Sequence, residues 1–171
     1  MWEKHKQNGF TVIELLIVII VVAILAALVV AAFANAQSKS HDSSVQSLLT
    51  QFAKKYELYK ITDPSGLYPA GNVQMGNLGV KVTSKNSFDT SASINYNLVN
   101  CTGTPAGINY ALLAISKSGK KYYVSSDSGG VKEYTGAAVW GDVTMCTSVL
   151  PSSTANGAGY ALSGGWRSWT N

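Results

Sequence analysis

The dominant pattern along the chain is one long apolar segment close to its N-terminus. Residues 15–34 are twenty consecutive positions without a charged or polar side chain, Gly or Pro. A helix of this length spans about 30 Å, the hydrocarbon thickness of a bilayer. Burying such a helix inside a soluble core would need far more partner sequence than the rest of the chain contains. The pattern therefore predicts a membrane-length helix over residues 10–36, followed by a polar domain.

Beyond Asn35 the apolar positions recur at spacings of three and four, which predicts that the helix continues with a single apolar stripe. The residues of this stripe are Val45, Leu48, Leu49, Phe52, Ala53, Tyr56 and Tyr59. Pro64 and Gly66 end the helix near Thr62, because neither residue suits a helix interior. Residues 37–63 are thus predicted to form the amphipathic outer half of the same helix and to lie against a globular head.

The head, residues 64–171, is predicted to be a small β domain. Residues 64–93 are rich in Gly, Asn and Ser and predict a surface loop with one short element. Strand patterns and turn signals then alternate over residues 94–135, which predicts an antiparallel meander whose apolar face covers the helix stripe. The fold class expected is α+β, with a long N-terminal α-helix packed on a small antiparallel β-sheet head.

Three strand patterns define this meander. Ile94, Tyr96 and Leu98 alternate with polar residues in the period of two that a half-buried strand shows. An apolar run over residues 110–115 leads through a turn into a return strand over residues 120–125. A further turn precedes residues 131–135.

The last segment, residues 136–171, contains three tryptophans and few charges. Trp140, Trp166 and Trp169 either form an interaction surface, where Trp is enriched, or pack under the tail and hold it to the sheet. Stacking of Trp166 or Trp169 on single-stranded DNA has a physical basis but lacks a basic cluster in the sequence.

Composition narrows the function classes. Hydrophobic residues make up 46% and charged residues 13% of the chain, whereas soluble domains carry about 25% charged residues. This argues against a freely soluble cytosolic enzyme. The net charge is +4, yet Arg167 is the single arginine, so the clustered arginines of a nucleic-acid binder are missing from the sequence. Cys101 and Cys146 are either two buried thiols or one disulfide, which would indicate an oxidising compartment.

The sequence lacks the motifs that carry catalysis or bind cofactors. It has no Cys-x-x-Cys, His-Glu-x-x-His, P-loop or Gly-x-Ser-x-Gly pattern. We therefore expect neither an enzyme nor a bound cofactor or metal.

The apolar segment could be processed in three ways, and the residues before it help to distinguish them. It could be a secretory signal cut after Ala36, although such apolar cores are usually about 7–15 residues long. It could also be an uncleaved anchor. The third fate follows from residues 9–14, which read Gly-Phe-Thr-Val-Ile-Glu and resemble the cleavage and methylation motif of the type IV pilin and pseudopilin family.

This resemblance implies that a prepilin peptidase removes the leader, residues 1–9, by cutting between Gly9 and Phe10. Phe10 would then carry an N-methyl group, and Glu14 would be the fifth residue of the mature chain. A charge in a membrane helix costs about 2.5–3.5 kcal/mol and points to function. Pairing of Glu14 with the ammonium group of Phe10 in a neighbouring subunit would offset that cost during assembly. Alternatively, Glu14 simply lies in the first turn at the membrane interface, where a negative charge suits the helix dipole.

The resemblance also implies the partners and the location. The subunit would first lie in lipid as a single-pass protein of the cytoplasmic membrane with an extracytoplasmic head. It would then join a homo-oligomeric helical filament at the cell surface with the help of inner-membrane assembly machinery. Adhesion, twitching motility and DNA uptake are the activities of such filaments, and nucleic acid is a weakly supported partner. Family resemblance also favours a disulfide between Cys101 and Cys146, whose loop closure would contribute about 4 kcal/mol.

Two alternatives stay open at this point. One is a pseudopilin of a type II secretion-like system. The other is a monomeric exported or anchored domain that binds a surface ligand. The mature N-terminal residue separates these classes, because methyl-Phe10 indicates a pilin, Gln37 a secreted domain and Met1 an anchor.

Overall fold

A computed structural model gives the structure of most of the chain. It describes residues 9–91, 96–138, 140, 144–161 and 164–170, without the side chains of Asn156 and Trp169. The predicted leader apart from Gly9, the start of the first predicted strand at Ile94, and the side chain of Trp169 therefore lie outside the described residues.

The chain divides into two compact units, residues 1–37 and 38–171. Helix α1 covers Val12–Thr62 and belongs to both. Its residues in the first unit are all exposed. No Gly or Pro interrupts it, and Ala, Leu and other apolar residues sustain the helical backbone. The prediction of one long N-terminal helix that ends at Thr62 is confirmed.

In the second unit, α1 packs one side against the head. The buried positions of the predicted stripe are Val45, Leu48, Leu49, Phe52 and Tyr56, and Ala53 and Tyr59 are half-buried against them. Four of these residues, Val45, Leu49, Phe52 and Tyr56, have no exposed surface at all. The spacing of three and four residues places them on one side of the helix. The predicted amphipathic stripe is confirmed as the helix side of the core.

The head contains a five-stranded antiparallel sheet with the order β4-β3-β2-β1-β5. Its strands are β1 (Leu98–Gly103), β2 (Tyr110–Ile115), β3 (Lys121–Ser125), β4 (Lys132–Glu133) and β5 (Ser153–Ala158). Asn100 on β1, which lies between β2 and β5, is opposite Leu112 on β2 and opposite Gly157 on β5. The expectation of an antiparallel sheet packed on the helix is confirmed.

Both faces of this sheet are covered, which explains why every residue of β1 and β2 is buried. Leu98, Tyr110 and Leu112 face the α1 stripe. Val99, Leu113 and Ile115 face a second core, to which Trp140, Met145 and Leu150 contribute from the C-terminal part of the chain. A strand buried on two faces is apolar along its whole length instead of alternating, as in the Tyr-Ala-Leu-Leu-Ala-Ile sequence of β2.

Residues 64–91 are more than the surface loop that was expected. They contain helix α2 (Asn72–Asn77) and a 3₁₀ turn over Lys85–Ser87. Six side chains of this segment are buried in the core on the helix side: Tyr68, Met75, Leu78, Val80, Val82 and Phe88. The prediction was wrong here because these residues are separated by polar positions with no regular period, and hydrophobic periodicity detects only regular elements.

The C-terminal segment also forms more structure than predicted. Helix α3 (Thr144–Val149) packs against the sheet, and β5 adds a strand beside β1. A second small sheet pairs β6 (Tyr160–Ala161) with β7 (Gly165–Trp166). The sequence of β5, Ser-Thr-Ala-Asn-Gly-Ala, has no large apolar residue, so its pairing was invisible to a pattern search. The first strand also differs from the prediction. The predicted pattern ran from Ile94 to Leu98, whereas β1 begins at Leu98 and continues to Gly103.

Candidate assembly site and head

The start of α1 is held by reciprocal hydrogen bonds between Thr11 and Glu14. The Thr11 N–H and hydroxyl both donate to Glu14 Oε2, at 2.9 and 2.7 Å, and the Glu14 N–H donates to Thr11 Oγ1 at 3.3 Å. Thr11 precedes the first helical residue, and Glu14 is the third residue of the helix. This is a capping box, which satisfies backbone N–H groups that a helix start leaves unpaired.

The predicted site residues Gly9, Phe10 and Glu14 thus lie together on exposed chain at the beginning of α1. Phe10 is 84% exposed. Glu14 is the single charged residue between Gly9 and Gln37. Its position in the first turn means that the carboxylate stabilises the helix start.

Helix α1 is the single helix of the described residues that is long and apolar enough to cross a membrane. None of its most apolar window is buried within the protein. Large apolar side chains such as Ile17, Leu25 and Phe33 are more than half exposed. In water this surface would be strongly unfavourable, since each buried side chain of this size is worth about 1.5–3 kcal/mol. The helix therefore requires an apolar environment from lipid or from other protein.

Within the second unit, polar contacts fix α1 on the head. The Ser118 hydroxyl donates to Asp42 Oδ1 at 2.5 Å, and His41 Nδ1 lies 3.3 Å from Ser87 Oγ. Asp42 is only 9% exposed. A buried carboxylate requires hydrogen-bond donors, and Ser118 supplies one.

Near the C-terminal end of α1, Tyr68 connects the segment after the helix to the sheet. Its hydroxyl donates to both carboxylate oxygens of Glu57, at 3.1 Å each, and the Lys60 ammonium lies 4.3 Å from its ring centroid. The rings of Tyr56 and Tyr110 pack beside it. Burial, reinforced by the hydrogen bond to Glu57, raises the pKa of Tyr68 to about 12. The segment after the helix is thus an anchored junction.

A disulfide joins Cys101 on β1 to Cys146 on α3, with their Cα atoms 5.5 Å apart. Both residues are fully buried in the second core. The bond ties β1 to the C-terminal segment across 45 residues of chain. Two separate thiols, the alternative left open by the sequence, are absent from the described residues.

The tryptophans differ in their roles. Trp140 is buried in the second core, with its ring centroid 6.1 Å from that of Tyr134. Trp166 is half-buried and contacts Phe88 and Tyr160 edge-on. Packing under the tail therefore holds for Trp140 and in part for Trp166.

Comparisons with known proteins bear on both units. Residues 4–30 match the family model of the prokaryotic N-terminal methylation motif. The chain is also 28% identical over 123 residues to the type IV wide pilus major component PilA4 of Thermus thermophilus, covering 72% of this chain and 84% of that protein. These matches support assignment to the type IV pilin and pseudopilin family. No solved structure matches the chain.

The two matches of this pilin-like chain are complementary. The methylation motif includes Gly9, Phe10 and Glu14, the three residues to which the resemblance gave cleavage, methylation and assembly roles. The match to PilA4 covers 123 residues, more than the part of the chain before the head contains, so it extends into the β-sheet head. Taken together they point to a pilin family of structural subunits rather than to an enzyme family.

Proposed function

We propose that the chain is a type IV pilin-like structural subunit. A prepilin peptidase cuts it between Gly9 and Phe10, Phe10 is N-methylated, and the mature chain polymerises into a surface filament. The observation that carries this proposal is the fully exposed apolar surface of α1 in the first unit, with one carboxylate at its start. Before assembly, membrane lipid covers this surface. After assembly, the same helices of neighbouring subunits cover it.

The composition of the apolar segment suits both environments. Its Val, Ile and Leu side chains are compatible with lipid. Six alanines lie among them, at positions 23, 26, 27, 31, 32 and 34. Small residues let helices approach closely in an apolar medium, where van der Waals packing drives association. Copies of this helix can therefore replace lipid around one another.

Glu14 supplies the polar contact of the assembled helix bundle. Its Oε2 already accepts two hydrogen bonds from Thr11, whereas Oε1 accepts none from the described residues. Cleavage creates an ammonium group at Phe10, and in a water-poor bundle a carboxylate and an ammonium group attract each other strongly. We infer that Glu14 Oε1 pairs with the Phe10 ammonium of a neighbouring subunit and thereby sets the axial register.

Two variants separate this role from the capping box. Glu14→Gln keeps a side chain that can complete the box but removes the charge, whereas Thr11→Val removes the capping hydroxyl and keeps the charge. We expect Glu14→Gln to lower the yield of sheared surface filaments at least tenfold and Thr11→Val to leave it within about twofold. Equal yields for Glu14→Gln and the natural chain would contradict the pairing.

The same proposal specifies the cellular location of the subunit and the partners of its assembly. The subunit begins as a single-pass protein of the cytoplasmic membrane with the head outside, and the inner-membrane pilus machinery inserts it into the filament. PilA4 is described as a major component of a wide pilus, which supports a filament-forming role. Adhesion, twitching motility and DNA uptake are the activities proposed for the filament. Short filaments confined to the envelope would instead indicate a pseudopilin.

A further inference from the structure

A small groove on the head combines an aromatic ring with two lysines. Its volume is about 340 Å³, and its lining includes Lys85, Asn86, Phe88, Asp89, Lys117 and Trp166. These residues come from three separate stretches of sequence. The Lys117 N–H donates to the Ser87 carbonyl at 2.8 Å, and Trp166 packs on Phe88, so the fold itself builds the groove.

The Trp166 ring is held by its neighbours and remains partly exposed. Phe88 and Tyr160 meet it edge-on, with ring centroids 5.4 and 5.5 Å away. Trp166 is nevertheless only half-buried. Since neighbouring rings hold it in place, the half-buried indole offers a positioned apolar surface at low entropic cost.

The charges around the ring are mostly positive. The Lys85 ammonium lies 5.6 Å from the Trp166 ring centroid, and Lys117 is exposed at the same groove. Asp89 is the one acidic residue of the lining, and its Oδ1 accepts the Ser91 N–H at 2.8 Å. The groove therefore has a net positive charge together with amide and carboxylate groups that can bind hydroxyls.

We propose that this groove binds an acidic sugar residue of a polysaccharide. The apolar side of the sugar ring lies on Trp166, its carboxylate pairs with Lys85 and Lys117, and its hydroxyls bind Asn86 and Asp89. A concave site with one aromatic surface and a few placed polar groups is typical of small-molecule binding. The inference goes beyond filament assembly and does not depend on it, because all of these residues lie in the second unit.

The dimensions of the groove favour a sugar over single-stranded nucleic acid. Sites for small ligands have volumes of about 300–1,000 Å³, and this groove lies at the lower end. Single-strand binders instead use long basic grooves that follow about 4–16 nucleotides and stack several bases on aromatic rings. Here Phe88 is only 2% exposed, which leaves Trp166 as the accessible ring of the lining.

The test is a binding titration with the full chain in detergent micelles. The probes are a tetrasaccharide of alternating glucuronate and N-acetylglucosamine, a neutral N-acetylglucosamine tetrasaccharide, and a ten-nucleotide thymidine oligomer. We expect a dissociation constant at least tenfold lower for the acidic than for the neutral tetrasaccharide. Equal affinity for the two sugars, or no binding of the acidic one, would overturn the proposal. So would tighter binding of the oligonucleotide that the sugar fails to displace.

Variants locate the binding. Lys117→Gln should weaken binding of the acidic tetrasaccharide at least fivefold, whereas Lys132→Gln, an exposed lysine on β4, should leave it within twofold. Trp166→Phe keeps an aromatic ring against Phe88 and should weaken binding of both sugars by a similar factor. If Lys117→Gln and Lys132→Gln behave alike, the lysines act only through general charge and the assigned groove is wrong.

Discussion

Gly107 lies directly against the backbone of Tyr68, whose N–H donates to the Gly107 carbonyl at 2.7 Å. Gly107 has a φ of +85°, and an added Cβ would lie 2.9 Å from both the Tyr68 carbonyl oxygen and Leu67 Cβ. The helix exit can therefore close on the loop before β2 only if this position has no side chain.

Gly107→Ala should destabilise the head through both strain and collision. Gly119 has nearly the same φ, +88°, but open space around it, so Gly119→Ala is a matched control for strain alone. We expect Gly119→Ala to cost about 1 kcal/mol and Gly107→Ala at least about 1 kcal/mol more. Denaturant unfolding of the full chain in micelles measures both. Equal losses of unfolding free energy for the two variants would contradict the predicted collision at Gly107.

The packing of the α1 stripe should dominate the stability of the head. Phe52 is fully buried, whereas Ile61 on the same helix is 80% exposed. We expect Phe52→Ala to lower the free energy of unfolding by about 3–5 kcal/mol, because it removes a large ring from a closed core. Ile61→Ala should change it by no more than about 0.5 kcal/mol. Comparable effects at the two positions in the same denaturant titration would contradict the packing described.

The disulfide should stabilise the head mainly by restricting its unfolded state. Closing a loop of 45 residues is worth about 4 kcal/mol in the chain-entropy model. Replacing Cys101 and Cys146 together with Ala should lower the unfolding free energy by a similar amount. Reductant should destabilise the natural chain and leave the double variant unchanged. Unaltered stability of the natural chain after complete reduction would show that the disulfide does not stabilise the head.

Alkaline pH should weaken the head because its buried tyrosines resist ionisation. Burial raises the pKa of Tyr56 and of Tyr110, and burial with the Glu57 contact raises that of Tyr68 to about 12. The folded chain therefore holds these protons more tightly than the unfolded chain, whose tyrosines ionise near pH 10. Stability is fully present below about pH 10 and falls as the pH rises towards 12.

Tyr68→Phe should reduce the slope of this loss between pH 10 and 12, whereas the more exposed Tyr96 provides the control substitution Tyr96→Phe. Unfolding midpoints recorded from pH 8 to 11.5 give the slopes. A slope for Tyr68→Phe that equals the natural one would contradict the Tyr68 contribution.

Regular apolar spacing made the helical part of this fold predictable. The stripe from Val45 to Tyr59 identifies the buried side of α1, and the run over residues 110–115 identifies β2. Where the spacing is irregular, prediction failed. Met75, Val80 and Phe88 are buried by tertiary contacts that no local period encodes, and β5 is a strand because β1 offers it a free edge.

The candidate site was predictable for a different reason. Gly9, Phe10 and Glu14 are fixed by a short contiguous motif, so their proximity follows from chain connectivity. The capping box could also have been predicted from Thr11 followed three residues later by Glu14. The groove at Trp166 could not, because Lys85, Lys117 and Trp166 are brought together only by the folded sheet and its neighbouring segments.

The most direct test of the central claim is mass spectrometry of the N-terminal peptide of the chain taken from purified surface filaments. The account predicts a peptide that begins at Phe10, carries one methyl group on its amine, and is followed by the intact apolar segment. An extracellular chain that begins at Gln37 would contradict it, because the apolar helix would then have been removed.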